Sequence, residues 1–366
     1  MRIQRYDGQR ELWDNFVLSH PEGSVSQLSA SFLLAERSQG ARNRSLTMLA
    51  DGGELAGIFP ILELTHRELR LIRVRELLCG GPLLKPGLPR AAHQQALAAF
   101  VGEAKANAAE LGADRVTISY PASAGGLLAI ERYGYLPVKE FGFRELNSVG
   151  QFLDLRQEEE RLFRNLDSKC RNMIRRAQKS GIAISPLTSR ERWLTCHDLN
   201  VRTLGSAGYS MESLETIWDE FISRGVAAAV AAELDGRILS VAVASRLNQA
   251  AYYWLGFNEQ PHSVPGANNY ALWEAILLCK REGVCWFNVG SLEFSANQKQ
   301  KNIAAFKAQF GGLPTYTLSG VWERRPGKRW IIEWAASGAA RGRRGLSVLP
   351  PRVARRAAWL RRDTKH

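Results

Sequence analysis

"AAVAAELDGRILSVAVAS", residues Ala228–Ser245, reads as strand, turn and strand. Asp235-Gly236 supplies the turn, a hairpin signal between two apolar runs. The same form occurs earlier in "LTMLADGGELAGIFPILEL" (Leu46–Leu64), with Asp51-Gly52-Gly53 at the turn. Each hairpin is followed by a helical stretch and a further strand. "AAHQQALAAFVGEAKANAAELGADRVTIS" ends its helix near Gly112 and enters a strand at Arg115–Ser119. "NNYALWEAILLCKREGVCWFNVG" ends its helix near Gly283 and enters a strand at Cys285–Val289. A glycine just past a helix takes the left-handed conformation that ends it. The chain therefore reads as two copies of one mixed α/β unit. The boundary falls near Asn147–Gln151, where Asn, Ser and Gly cluster.

The length of 366 residues suits two domains. Apolar content of 45% and charged content of 23% are those of a folded protein without membrane spans. The opening "MRIQRYDGQRELWDNF" has no apolar signal core, so a cytoplasmic protein is expected. Cys79, Cys170, Cys196, Cys279 and Cys285 are odd in number and form no C-x-x-C pair, which argues against a disulfide framework or a zinc site. The six histidines show no metal spacing, and no metal is expected.

The net charge of +13 is unevenly placed. Residues 320–366 hold 13 Lys and Arg against 3 Asp and Glu, a balance of +10 that leaves +3 for residues 1–319. In "PRVARRAAWLRRD" the apolar and basic residues separate onto different helical arcs, a basic amphipathic pattern. The tail is expected to meet an anionic surface. An inner membrane face is the first choice, and RNA or plain solvation are the competing readings.

A second basic element lies at "LDSKCRNMIRRAQKSG" (Leu166–Gly181). Leu162, Leu166, Cys170, Met173, Ile174 and Ala177 make one apolar stripe at helical spacing. Lys169, Arg171, Arg175, Arg176 and Lys179 gather away from it. Their only nearby acid is Asp167. A surface helix usually interleaves acids at i+4. Phosphate contact by Lys169, Arg171, Arg175 and Arg176 would explain the face, with a solvated face as the plain alternative.

"KCRNMIRRAQKSGI" resembles the K-x-R-R-N-I-R-R-A-x-K-x-G-V signature of the FemAB-like branch of the GNAT acyltransferases. "AYYWLGFNEQ" is similar to that family's strand before its main helix. "NNYALWEAILLCKREGVCWFNVG" resembles its P-x-x-L-x-W-x-A-I helix and Y-D-F-G strand, and "AAFKAQFGGLPTY" its F-K-x-x-F-G-G block. The four blocks lie in order between Lys169 and Tyr316. The resemblance implies two tandem GNAT-like domains, drawn at 1–149 and 150–319, followed by a basic appendage at 320–366. It implies transfer of an acyl group, often an aminoacyl group from charged tRNA, to an amine of an envelope precursor or a natural product. No bound cofactor is implied, only a donor co-substrate.

Two departures bear on the chemistry. Asn288 stands where Y-D-F-G has its acid, and Asn172 replaces the second Arg of K-x-R-R-N. Asn288 and Glu293, the latter as a substitute acid, are the catalytic candidates. Lys307 matches the lysine that in relatives lies near the donor and its phosphates. Tyr253, Trp254, Asn258, Glu259 and Asn269 are expected to flank the cleft beside the central strand, although an aromatic run on a strand is also ordinary core. There is no G-x-S-x-G elbow, and Cys196-His197 are adjacent, so direct transfer in a ternary complex is favoured. "NEQPHSVPGAN" lacks the Q/R-x-x-G-x-G/A loop that holds the pyrophosphate of CoA, which favours aminoacyl-tRNA over acyl-CoA as donor. Outside enzymes, the competing reading is a non-catalytic protein that binds nucleic acid or anionic lipid.

Overall fold

Both hairpins form where the alternation places them. Strands β3 (Leu46–Leu49) and β4 (Leu55–Phe59) pair around the first turn, and β12 (Ala227–Leu234) and β13 (Arg237–Leu247) around the second. The computed structural model describes residues 1–68, 72–121, 137–146, 148–205, 208–259, 263–292 and 298–328. Glu293 and nearly all of the basic tail, including "PRVARRAAWLRRD", lie outside the described residues. One unit comprises Met1–Thr65 and Arg75–Arg324, and a second comprises His66–Val74 and Arg325–His366. No helix among the described residues is long and apolar enough to cross a membrane.

The first half also contains β1 (Arg2–Arg5), β2 (Arg42–Asn43), β5 (Ile61–Glu68), β6 (Ile72–Gly80), β7 (Leu83–Leu84), β8 (Arg115–Ser119) and β9 (Arg144–Glu145). Its helices are α1 (Arg10–Ser19), α2 (Ser29–Gln39), α3 (Arg90–Glu110) and α4 (Pro137–Glu140). Its strands divide between the sheet β1-β3-β4-β7 and a sheet that also takes in β17 (Ser319–Glu323) from the second half, in the order β2-β5-β6-β8-β17-β9. The division falls between β4 and β5 at Pro60, which has no N–H to continue a ladder.

The second half has β10 (Ser148–Asp154), α5 (Glu159–Asn165), α6 (Ser168–Lys179) and β11 (Ala183–Pro186). Three short helices follow, α7 (Arg190–Leu194), α8 (His197–Leu204) and α9 (Met211–Ile217). After the hairpin come β14 (Ala250–Asn258), α10 (Ala267–Arg281), β15 (Trp286–Ser291), α11 (Gln298–Ala308), β16 (Leu313–Thr317) and β17 (Ser319–Glu323). Seven of these strands make one sheet, β11-β12-β13-β14-β15-β10-β16.

The two halves repeat one plan. A hairpin leads to a strand, then to a helix, then to a strand parallel to the first: β6, α3, β8 in one half and β14, α10, β15 in the other. A parallel pair needs such a crossover. β10, which opens the second half, inserts between β15 and β16, while β17 leaves the second half and inserts between β8 and β9. The segment that opens the sequence-based tail is therefore a strand of the first half's sheet, with Val321 buried in it.

The sheet of the second half carries a core on each face. One face packs Leu162, Cys170, Ile174 and Ala177 of α5 and α6 against Ala271, Leu272 and Ile276 of α10. The other packs Val241, Val243, Leu255 and Phe257 against Trp193, Phe221 and the first half's Trp13 and Phe32. The apolar stripe read from Leu162 to Ala177 is real, but it is carried by two helices. Leu166 is extended, and the Asp167 carboxylate accepts the Lys169 N–H at 2.7 Å as an N-cap. The lone acid of the basic segment thus starts a new helix.

Cys79, Cys170, Cys196 and Cys279 are buried, and burial pushes the Cys170 thiol up to about 11 and Cys196 and Cys279 up to about 12. Cys285 is half-buried. A thiol reagent acts on exposed thiolate. One equivalent is expected to react quickly in the native protein and five after unfolding in denaturant. Two or more fast equivalents would contradict this packing.

Candidate active site

β14 and β15 pair over only three residues, from Ala250 opposite Trp286 to Tyr252 opposite Asn288. β14 nevertheless continues to Asn258 and β15 to Ser291. The two strands therefore part. In the first half, β6 and β8 stay paired over five residues, to Gly80 opposite Ser119. Each parting strand carries an irregularity. Trp254 is extra in β14 between the Val243–Leu255 and Ala244–Tyr253 pairs, and Val289 is extra in β15 between the Gln151–Gly290 and Phe152–Asn288 pairs. Bulges bend and twist the strand that holds them.

Beyond the point of parting, each strand presents a glycine under a long polar side chain. A β-carbon on Gly256 of β14 would overlap the Tyr253 hydroxyl. On β15, a β-carbon on Gly290 would lie 2.5 Å from the Lys307 Nζ and 3.1 Å from its Cε. Gly290 also has φ of 108°, a conformation side chains rarely adopt. Lys307 is on α11, which Phe306 and Phe310 anchor to the core beside α10. Burial pushes the Tyr253 hydroxyl well above the ordinary phenol range. The group stays protonated at neutral pH and can serve as a proton donor.

Where the strands begin to part, a cleft of about 330 Å³ opens. Tyr252, Asn288, Ser245 and Thr317 form one wall, and Gly23–Ser26 of the first half form the other. The Asn248 amide ties the walls together by donating to the carbonyls of His20 (3.0 Å) and Gly23 (3.2 Å). A capping box between Ser24 and Gln27 shapes the loop, and the buried Gln27 amide donates to the Gly81 carbonyl at 2.6 Å. Asn288 is buried, and its Oδ1 accepts the Gly290 N–H at 2.8 Å. An aspartate here could accept the same bond. The amide keeps that brace without the capacity to take a proton.

The other sequence-derived residues have definite places. Asn258 Oδ1 accepts the Ser240 hydroxyl at 2.7 Å, and the Asn258 N–H donates to Thr203 Oγ1 at 2.7 Å. Glu259 is held below the usual carboxylate range by the Ser263 hydroxyl and by Arg237, 3.2 Å away. Asn269 is buried and donates to the Cys170 sulfur at 3.4 Å. Trp254 packs on Phe221 with ring centres 4.9 Å apart. On α6, the Arg171 guanidinium donates to the carbonyls of Arg164, at 2.8 Å, and Leu166, closing the end of α5. Arg175 lies 5.4 Å from the Phe163 ring centre. Lys169 and Arg176 are exposed. Among the described residues no cluster of His, Cys, Asp or Glu could hold a metal ion. Sequence reasoning did not single out Tyr252, Ser245, Thr317 or the Gly23–Ser26 loop as site residues.

Residues 164–294 match the family described as "Acetyltransferase (GNAT) domain". This stretch contains α6, the second hairpin and both parting strands. It is a GNAT acyltransferase domain. Over the whole chain the fold is that of FemX, at 15% identity and a TM-score of 0.66, with 91% of this chain and 100% of FemX covered. The C-terminal domain of a putative lysylphosphatidylglycerol synthetase from Agrobacterium fabrum is similar at 13% identity and a TM-score of 0.54, covering 89% of this chain and 95% of that one. L-PGS from Bacillus licheniformis is similar at 13% identity and 0.55, covering 90% and 96%. No curated protein matches the sequence. Beyond Tyr252 and Asn288 the two strands part, with the Tyr253 hydroxyl over Gly256 of one and the Lys307 side chain over Gly290 of the other.

Proposed function

We propose that this acyltransferase moves an aminoacyl group from aminoacyl-tRNA onto an amine held in the cleft, by direct attack and without a covalent enzyme intermediate. The observation that carries the choice of donor is the packing at the start of α10. A GNAT that uses acyl-CoA cradles the pyrophosphate on the N–H groups of such a helix start. In this chain, a β-carbon on the N-cap residue Gly266 would overlap the Met173 carbonyl oxygen of α6. Peptide backbone, carrying a partial negative charge, thus lies against the residue that opens that terminus. A donor held by side-chain cations fits better, and the exposed Lys169 and Arg176 project from the same helix. Among the fold relatives, the lysylphosphatidylglycerol synthetase is named for an aminoacylated lipid.

The residues assign the steps as follows. The described residues lining the cleft include no carboxylate to hold an ammonium group. Burying an unpaired charge is costly, so the amine enters neutral. Its nitrogen attacks the ester carbonyl carbon in the gap. The Lys307 ammonium stabilises the oxyanion that forms. As the C–O bond breaks, the Tyr253 hydroxyl gives its proton to the leaving ribose oxygen and recovers one from the attacking nitrogen. The buried thiols of Cys170 and Cys196, held at about 11 and 12, are not thiolates at neutral pH. This supports direct transfer.

The test supplies an amine acceptor with each donor in turn. Transfer from charged tRNA is expected, and ribonuclease should abolish it. Efficient transfer from acyl-CoA that ignores ribonuclease would overturn the choice. A second measurement replaces Lys169 and Arg176 with glutamate. Neither has a structural partner like that of Arg171, so the melting temperature should hold. The tRNA affinity should fall, and its salt dependence should weaken by about one unit of log–log slope per lost phosphate contact.

A further inference from the structure

A second cavity, about 290 Å³, adjoins the cleft and shares Val25, Ser26, Ser245 and Tyr252 with it. Its floor is aromatic, from Tyr209, Tyr252 and Trp254, and its far side is the edge of α2, with Ser31, Ser38 and Gln39. Each cavity alone is at the lower edge of the roughly 300–1,000 Å³ that small-molecule sites occupy. Together they make one groove that runs away from the strand gap. No Lys, Arg, His, Asp or Glu is among the described residues that line either cavity. The polar atoms offered are hydroxyls and amides. One of them, the Ser291 hydroxyl in the cleft wall, is buried without a hydrogen-bond partner.

From this lining we infer that the acceptor is an amine-bearing oligosaccharide longer than one ring, without a phosphate or carboxylate at the groove. The inference rests on the reading of the cleft as the acceptor site. A phosphate or carboxylate would need a cationic partner on being desolvated, and the described lining supplies none. A peptide would leave backbone N–H and C=O groups against a largely aromatic floor. A sugar ring meets both surfaces. Its weakly positive C–H faces lie on the aromatic rings, and its hydroxyls exchange hydrogen bonds with serine and amide groups. The ring bearing the amine sits by Tyr252, Asn288 and Ser291. The next rings lie over Trp254 and Tyr209 towards α2.

Binding without any donor tests this separately from the tRNA proposal. Titration calorimetry would compare glucosamine, UDP-glucosamine and a chitotetraose whose amines are acetylated except for one. The tetramer should bind at least ~10-fold more tightly than glucosamine, a difference of about 1.4 kcal/mol. Added salt should change its affinity little. Ser38→Trp, on the half-buried edge of α2, places bulk in the second cavity without touching the strand gap. It should remove the advantage of chain length and leave glucosamine binding unchanged. Equal affinity for the monomer and the tetramer would overturn the inference, as would tightest binding by UDP-glucosamine. Undiminished tetramer binding by a folded Ser38→Trp protein would also overturn it, because the sugar would then lie elsewhere.

Discussion

Replacing Gly290 with alanine is expected to lower kcat/KM about a hundredfold, comparable to removing one oxyanion donor. Two effects combine at this position. Its φ of 108° strains any residue with a side chain, at about 1–3 kcal/mol. The new methyl also lands on the Lys307 side chain, 2.5 Å from Nζ and 3.6 Å from Cδ. The flexible lysine gives way more readily than the strand, so its ammonium leaves the gap. The strain alone should appear as a modest fall in melting temperature. The loss of rate should match that of Lys307→Ala, and the double variant should be no worse than either single one. Residues acting through one group are non-additive in this way. Lys307→Arg should retain part of the activity, since it keeps the charge on a differently shaped head. If Gly290→Ala melts lower but turns over normally, Gly290 does not set the position of Lys307. If the two losses add, Gly290 acts through something else.

Much of the scaffold around this pair is legible in the sequence. The turns at Asp51-Gly52-Gly53 and Asp235-Gly236 and the glycines after α3 and α10 locate the repeated elements, because those signals are local. The placement of β10 and β17 is not legible in that way. Charge balance puts Gly320–Glu323 with the basic tail, and nothing local in "SGVWE" names its partner, which is β8, about two hundred residues earlier in the chain. The basic helix shows a similar divide. Its periodicity gives the buried face, yet nothing in spacing says that Asp167 caps a second helix or that Arg171 closes the first. The aromatic strand is subtler still. Tyr253 and Trp254 stand out as a run, but Tyr252 is the one that faces the cleft. Trp254, at the bulge, packs into the core on Phe221 while also edging the second cavity. The wall opposite Tyr252 comes from Gly23–Ser26, a loop whose place depends on Asn248 in the other half.

Tyr253→Phe separates the two donors by a chemical argument. If the tyrosine were only core, removing its hydroxyl, which makes no hydrogen bond among the described residues, would be neutral or mildly stabilising. Melting temperature is therefore expected to hold or rise. As a proton donor to the leaving group, the hydroxyl should matter according to how poor that group is. An aminoacyl ester expels a ribose alkoxide, which leaves badly unless it is protonated. A thioester expels a thiolate, whose conjugate acid has a pKa near ~8.5 like that of a simple thiol and leaves without help. General acid catalysis contributes about 10²–10⁴-fold where the proton is needed. The substitution should thus reduce turnover of aminoacyl-tRNA by at least ~100-fold and, if any thioester is accepted, reduce its turnover far less. Burial raises the Tyr253 pKa, so the phenol stays protonated through neutral and mildly alkaline pH. No alkaline fall in rate below about pH 10, the ordinary phenol value, should trace to it. Equal losses with both donors would make Tyr253 a positioning residue. An unchanged rate with the ester would remove it from the chemistry and leave Lys307 to act alone.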